Sequence, residues 1–263
     1  MQQASTQDTL KKMARAGYAA KGVVYLLLGI LAFMAAFELG RSVSEANRGS
    51  VFQMVRNAPA GGILMGILAL GLVCYALWRL VQALAPRYGH ETSTGKRVLY
   101  FFSALAYGAI AFTAIKMALW NEQSGGNQQQ TLAATLLERK GGQWLTGIAA
   151  LIFIGTGLYQ IYYGWSEKYR KYVQESQIHS QHAALLLRSG KAGYIARGIV
   201  WLIIGYLLLR AALNASASEA GDTTDAFRFL QNASYGSWLL GAVGLGLAAF
   251  GVFSFLRARY ERF

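Results

Sequence analysis

Gly17-Tyr18-Ala19-Ala20-Lys21-Gly22-Val23-Val24-Tyr25-Leu26-Leu27-Leu28-Gly29 returns near the C-terminus as Gly193-Tyr194-Ile195-Ala196-Arg197-Gly198-Ile199-Val200-Trp201-Leu202-Ile203-Ile204-Gly205. The offset is 176 residues at every position. Both Gly–Tyr pairs, the cation, the glycine after it, the aromatic and the last glycine are kept. A worn third copy lies at offset 82. There Arg97, Tyr100 and Tyr107 stand for Arg15, Tyr18 and Tyr25, and Ser103 stands for the cation.

Each copy opens a long apolar stretch. The chain has 263 residues, 54% of them apolar and 14% charged. Its uncharged windows, with their flanks, reach the ~18–20 residues needed to cross ~30 Å of hydrocarbon. Six transmembrane helices are expected, at residues 18–38, 63–84, 98–119, 143–165, 194–213 and 236–256. Residues 1–12 read as a frayed, disordered tail. Repeats then occupy 13–90, 91–175 and 176–263. Two helices per repeat bring the chain back to the same side, so the repeats are parallel and relate by an axis along the membrane normal. The expected fold is an all-α integral membrane protein with three two-helix repeats around a pseudo-threefold axis. Small residues at helical spacing (Gly22, Gly29, Ala104, Gly108, Gly241, Gly246, Gly251) suit close helix contact where lipid removes any hydrophobic drive.

Between its two helices each repeat carries a loop, a short amphipathic piece and a glycine break: Ser50–Arg56 before Gly61, Thr131–Leu137 before Gly141, Thr224–Leu230 before Gly236. Ser50 and Gln53 have capping-box spacing. Aligning the returning helices through Gly71/Tyr75, Gly155/Tyr159 and Gly246/Phe250 makes the fourth long helix about one turn longer than its siblings.

With the N-terminus placed in the cytoplasm, 17 of the 25 Lys and Arg lie inside. The positive-inside rule therefore puts both termini in the cytoplasm, and the net charge of +13 sits at an anionic leaflet surface with no need for nucleic acid. Lys11, Lys12 and Arg15 before an apolar run resemble a signal peptide. The repeat partners of that run, deep in the chain, argue for a retained helix instead. The single cysteine, Cys74, offers no disulfide.

The run Arg-x-Gly-Tyr-x-Ala-Lys-Gly-Val-Val-Tyr at Arg15 to Tyr25, repeated in tandem two-helix units, resembles the bacterial membrane family catalogued as domain of unknown function 1206. The resemblance covers about Arg15 to Tyr260. It implies a three-repeat, six-helix protein of the bacterial plasma membrane and brings no activity with it. The middle repeat departs from the pattern at Leu99, Ser103 and Ala104.

No helix interior holds Asp or Glu, and His90, His179 and His182 all fall in loops. Intramembrane carboxylate or histidine relays and paired haem ligands are thereby lacking. His179 and His182 have only Glu175 beside them, too little for a metal site. No phosphate loop or nucleophile motif occurs. An enzyme is not expected, nor a cofactor or metal. Trp120, Trp144, Trp165, Trp201 and Trp238, at or near helix ends, are expected to mark interfaces.

The remaining signal is cationic. Lys21, Tyr25 and Gly29 share one helical stripe, as do Arg197, Trp201 and Gly205, with Ser103 and Tyr107 in the worn copy. Each cation then stands one turn from an aromatic, within cation–π range. Arg15, Arg97 and Lys191 precede them at equivalent places. The expected role is binding an anionic inner-leaflet lipid, a small anion or a membrane-protein partner, including a second copy, with Lys21 and Arg197 inside and Arg15 and Lys191 at the mouth. The alternative is a channel or transporter with a path along the axis.

Overall fold

The structure, a computed structural model, describes residues 2–84, 94–120, 135, 141–172 and 180–261. In chain order its helices are α1 (Gln2–Ala36), α2 (Arg48–Asn57), α3 (Gly61–Leu84), α4 (Thr94–Trp120), α5 (Gly142–Trp165), α6 (Ser180–Leu213), α7 (Thr223–Gln231) and α8 (Gly236–Tyr260). Six of them, all but α2 and α7, are long and apolar enough to cross a membrane. The expected span ends hold closely for α3, α4 and α5.

Two helices start earlier than expected. α1 is helical from Gln2, where a frayed tail was expected, and α6 begins at Ser180 rather than Tyr194. The added turns are rich in Ala, Lys, Gln, Met and Leu and contain no proline, so helix propensity carries them onward. At 35 residues α1 is ~50 Å long and overshoots ~30 Å of hydrocarbon.

The short helices sit where the sequence puts them, with one change of cap. α2 starts at Asn47, whose side chain accepts from the backbone N–H of Ser50, so Ser50 is inside the first turn and does not cap it. α7 has a full capping box between Asp222 and Asp225. The expected amphipathic piece of the middle repeat, 131–137, falls outside the described residues apart from Thr135. Val51 and Phe52 of α2 and Ala226 and Phe227 of α7 are almost wholly buried, so both helices press into the bundle. Left-handed residues turn the chain into each returning helix: Ala60 (φ 58°), Gly141 (φ 81°) and Tyr235 (φ 62°). Behind two of them, Gly61 and Gly236 lie so close to the carbonyls of Arg56 and Gln231 that a Cβ would sit 1.8 and 1.9 Å away.

Packing runs in the order α4–α3–α1–α8–α6–α5. The middle of this row is the most buried: 61% of the apolar window of α1 and 56% of that of α8, against 22% for α4 and for α5. Glycines set the tightest contacts. Gly22 and Gly29 of α1 meet Gly251 and Gly244 of α8; a Cβ on Gly29 would fall 2.3 Å from the backbone nitrogen of Ala248. Gly198 and Gly205 of α6 meet Gly157 and Ala150 of α5 in the same way.

The first and third repeats close identically. Gly17 admits Tyr75, as Gly193 admits Phe250; Gly71 rests on Ala20, as Gly246 rests on Ala196. The middle repeat does not close. Among the described residues α4 and α5 do not pack closely on each other as α1 packs on α3 and α6 on α8. A closed ring of six helices around a threefold axis needs three contacts within repeats and three between them, and the arc stops at five. The cause is in the sequence. Gly157 and Ala150 of α5 take the places of Gly251 and Gly244, an offset of 94 that makes Ile152 the counterpart of Gly246. Leu99 then replaces a packing glycine, Phe102 replaces Ala20 and Ala196, and Ile152 replaces Gly71 and Gly246. All three are exposed. Gly155, through which the sequence alignment ran, packs on nothing. The extra turn expected of α5 is accordingly missing: α5 and α3 have 24 residues each and α8 has 25.

The α1–α8 contact yields a clear expectation. Gly29→Ala forces a Cβ into backbone and should lower stability by ~1–3 kcal/mol, the range for overpacking. Gly62→Ala, where nothing lies within 4 Å, should leave it unchanged. Thermal melting of the two purified variants in one detergent compares them; equal melting temperatures would refute the close-approach account.

Candidate functional site

The repeated cations do not behave as a matched pair. Lys21, only 4% exposed, is enclosed by rings from four helices. Its Nζ lies 4.8 Å from the Tyr75 ring centroid, 4.9 Å from Phe250, 5.3 Å from Tyr107 and 6.0 Å from Tyr25. It also donates to the Tyr75 hydroxyl at 2.9 Å. That oxygen accepts from Arg79 as well, through Nε (2.9 Å) and Nη2 (2.7 Å), while Arg79 Nη1 reaches Gln82 at 2.9 Å. Lys21 is thus satisfied by a phenol and by ring faces.

Arg197 is half-buried. Its guanidinium stands 4.3 Å from the Phe250 centroid and 5.0 Å from that of Tyr25. Its Nε is buried with no hydrogen-bond partner. The two cations therefore border the same rings, while Arg79 shares the Tyr75 hydroxyl with Lys21 and Arg257 covers Tyr18, the ring next to Tyr75. Arg48, at the start of α2, adds positive charge near Tyr25.

Glu261 is the one buried carboxylate among the described residues, and Arg257 holds it through two hydrogen bonds. Tyr18 donates to Glu261 at 3.4 Å, and Arg257 lies over the Tyr18 ring at 4.5 Å. This latch joins the middle of α1 to the end of α8. An aromatic ladder continues from it: Tyr18 on Tyr75 (5.3 Å), Tyr75 on Tyr107 (4.5 Å), Tyr25 on Phe250 (4.9 Å) and Phe250 on Tyr194 (5.3 Å). Outside the spans, Tyr169 stacks on Tyr194 at 5.6 Å and donates to the carbonyl of Leu187 at 2.6 Å; burial pushes its phenol above the ordinary range.

Of the residues singled out in sequence, Lys21, Tyr25, Tyr107 and Arg197 converge. Trp201 does not; it tilts against Phe153 of α5 at 4.8 Å, because Gly198 and Gly205 turn that face of α6 onto α5. The cations expected at the mouth part company too. Arg15 is exposed, Arg97 donates to the carbonyl of Ala83 at 2.8 Å, and Lys191 lies over the Trp165 ring at 4.5 Å. Tyr75, Phe250, Arg79, Arg257 and Glu261 escaped notice as site residues. The readable signals were Arg79 inside an expected helix and the position of Tyr75 and Phe250 four residues after Gly71 and Gly246.

Three similar repeats, two closed alike and one open, agree with the comparison to known sequences. The pattern of the family described as Domain of Unknown Function (DUF1206) matches residues 16–85, 98–167 and 192–261. The chain belongs to this family. The three DUF1206 matches are equal in length, in keeping with helices α3, α5 and α8 of nearly equal length. A Bacillus subtilis (strain 168) relative, "Uncharacterized protein YxxB", is 31% identical over 259 residues, covering 97% of this chain and 93% of its own. No solved structure matches.

The latch sets a second test. Glu261→Gln strands a buried guanidinium and should cost ~3–5 kcal/mol. Glu167→Gln, which removes a more exposed pair to Arg170 at 3.7 Å, should cost less than ~1 kcal/mol. Melting of both variants reads the difference, and a harmless Glu261→Gln would deny the latch its role.

Proposed function

We propose that this DUF1206 chain is a non-enzymatic, multi-pass membrane protein that holds an anionic group in the basic, ring-lined interior of its bundle. One observation carries the reading. Lys21, Arg79, Arg197 and Arg257 gather where Glu261 is the one buried carboxylate among the described residues, and Arg257 already engages it. Buried charge without a counter-charge is costly, and an arriving anion relieves that cost. Tyrosine and phenylalanine faces hold the cations in place meanwhile.

In this reading both termini are cytoplasmic and the site lies toward the inner leaflet of a bacterial plasma membrane, which the excess of Lys and Arg on one side supports. A conducting path along the bundle axis is the competing reading. The ring contacts at 4.5–5.3 Å that fill the interior around Lys21 support binding over conduction.

Two measurements test this. In a Cys74→Ala background, Ser180→Cys should resist an impermeant thiol reagent applied to intact cells and react once the cells are opened; labelling from outside would reverse the orientation. Native mass spectra of the protein purified in mild detergent should carry an added anionic lipid or oxyanion, and liposomes containing it should leak ions no faster than empty ones. Bare protein combined with rapid leak would favour the channel.

A further inference from the structure

We propose that the open seam between α4 and α5 is a lateral port for a phospholipid, whose phosphate pairs with Arg197 and not with Lys21. This rests on the anion-binding reading above and names the ligand and its route.

The seam opens at the height of the cations. Phe102 is the neighbour of Ser103, the residue that stands where Lys21 and Arg197 stand in the other repeats. Ile152 occupies the place of Gly71 and Gly246, which rest on Ala20 and Ala196, each one residue before a cation. Two closed repeats thus seal their cations behind small residues. In the third, bulky apolar side chains, 61% and 60% exposed, face the bilayer at that level. Ser103, smaller than the cation it replaces, carries a hydroxyl at this level. Tyr107, on the same helix, borders Lys21, and Lys21 and Arg197 share the Tyr25 and Phe250 rings.

Chemistry separates the two cations. Lys21 is spent on Tyr75 and its ring cage. Arg197 has no carboxylate partner among the described residues, and its Nε lacks any acceptor. A guanidinium fork pairs two donors with two oxygens of a phosphate, a geometry no point charge matches. A ligand with apolar tails fits a port flanked by Phe102 and Ile152 and opening into hydrocarbon, whereas a free phosphate would have to cross that hydrocarbon. The shared chemistry is the phosphate; its source is what the arms of the experiment separate.

The experiment titrates the purified full chain in neutral detergent with phosphatidylglycerol or, separately, with inorganic phosphate, and reads bound ligand by native mass spectrometry. Arg197→Gln should weaken phosphatidylglycerol binding about tenfold or more, the cost of a charge-assisted pair. Lys21→Gln, which removes one charge from the basic interior but leaves the guanidinium fork, should weaken it only about threefold. The double variant Phe102→Ala/Ile152→Gly rebuilds the small-on-small contact of the other repeats. It should close the port and weaken lipid binding about tenfold without touching a cation. Helical circular dichroism of each variant confirms folding. Equal loss in folded Lys21→Gln, or unchanged binding in the double variant, overturns the assignment. Inorganic phosphate binding as tightly as the lipid, with the same Arg197 dependence, overturns the lipid while leaving the anion reading intact. A dimer that the double variant splits, with lipid binding unaltered, makes the seam a contact between copies and overturns the port. If neither ligand binds the wild type, the anion reading itself falls.

Discussion

The approach of α1 to α8, backbone against backbone, governs the rest of the bundle. Gly22, Gly29, Gly244 and Gly251 bring the two backbones into contact, and within lipid this closeness supplies dispersion energy that hydrophobic burial cannot. The contact joins the first helix of the chain to the last. It brings Tyr25 to Phe250, and it sets Lys21 and Arg197 on either part of one aromatic surface. It also brings Tyr18 within reach of Glu261, so the latch and the basic interior both follow from it.

Once the helices are that close, the cations lose water. Four positive side chains face one carboxylate, and ring faces and a single phenol oxygen take over part of the work of solvent. An aromatic face is a weaker partner for a cation than a carboxylate, which keeps the interior receptive to an anion while the fold persists without one. Tyr75, accepting from both Lys21 and Arg79, ties α1 to α3 and satisfies part of two of these cations.

The repeats began as like units and have come to differ in what they seal. Repeats one and three press a glycine onto an alanine beside the cation; the middle repeat has an exposed isoleucine and an exposed phenylalanine at those places, and among the described residues it stays open. Divergence of the worn copy is therefore structural as well as chemical: the place that lost its cation is also the place where the arc ends. This gives the bundle one side unlike the others, which a strict threefold ring could not have.

The sequence by itself determined the six spans, the three repeats, the short helices before Gly61 and Gly236, and the identity of Lys21 and Arg197 as unusual cations. These are local properties: hydropathy over a window, glycine at a turn, and spacing along one helix. Only the tertiary structure decided which neighbours the helices choose. Exposed Leu99, Phe102 and Ile152 were visible as letters, yet their effect needed the opposing face, and the alignment through Gly155 hid Ile152 altogether. Trp201 lay one turn from Arg197 in sequence and still turned away, because the glycines beside it drew that face onto α5. Glu261, beyond the last expected span, became the buried counter-charge beside Tyr18, a residue 243 positions earlier. Side-chain partnership across helices depends on rotation about each helix axis, and rotation is set by packing rather than by any single segment.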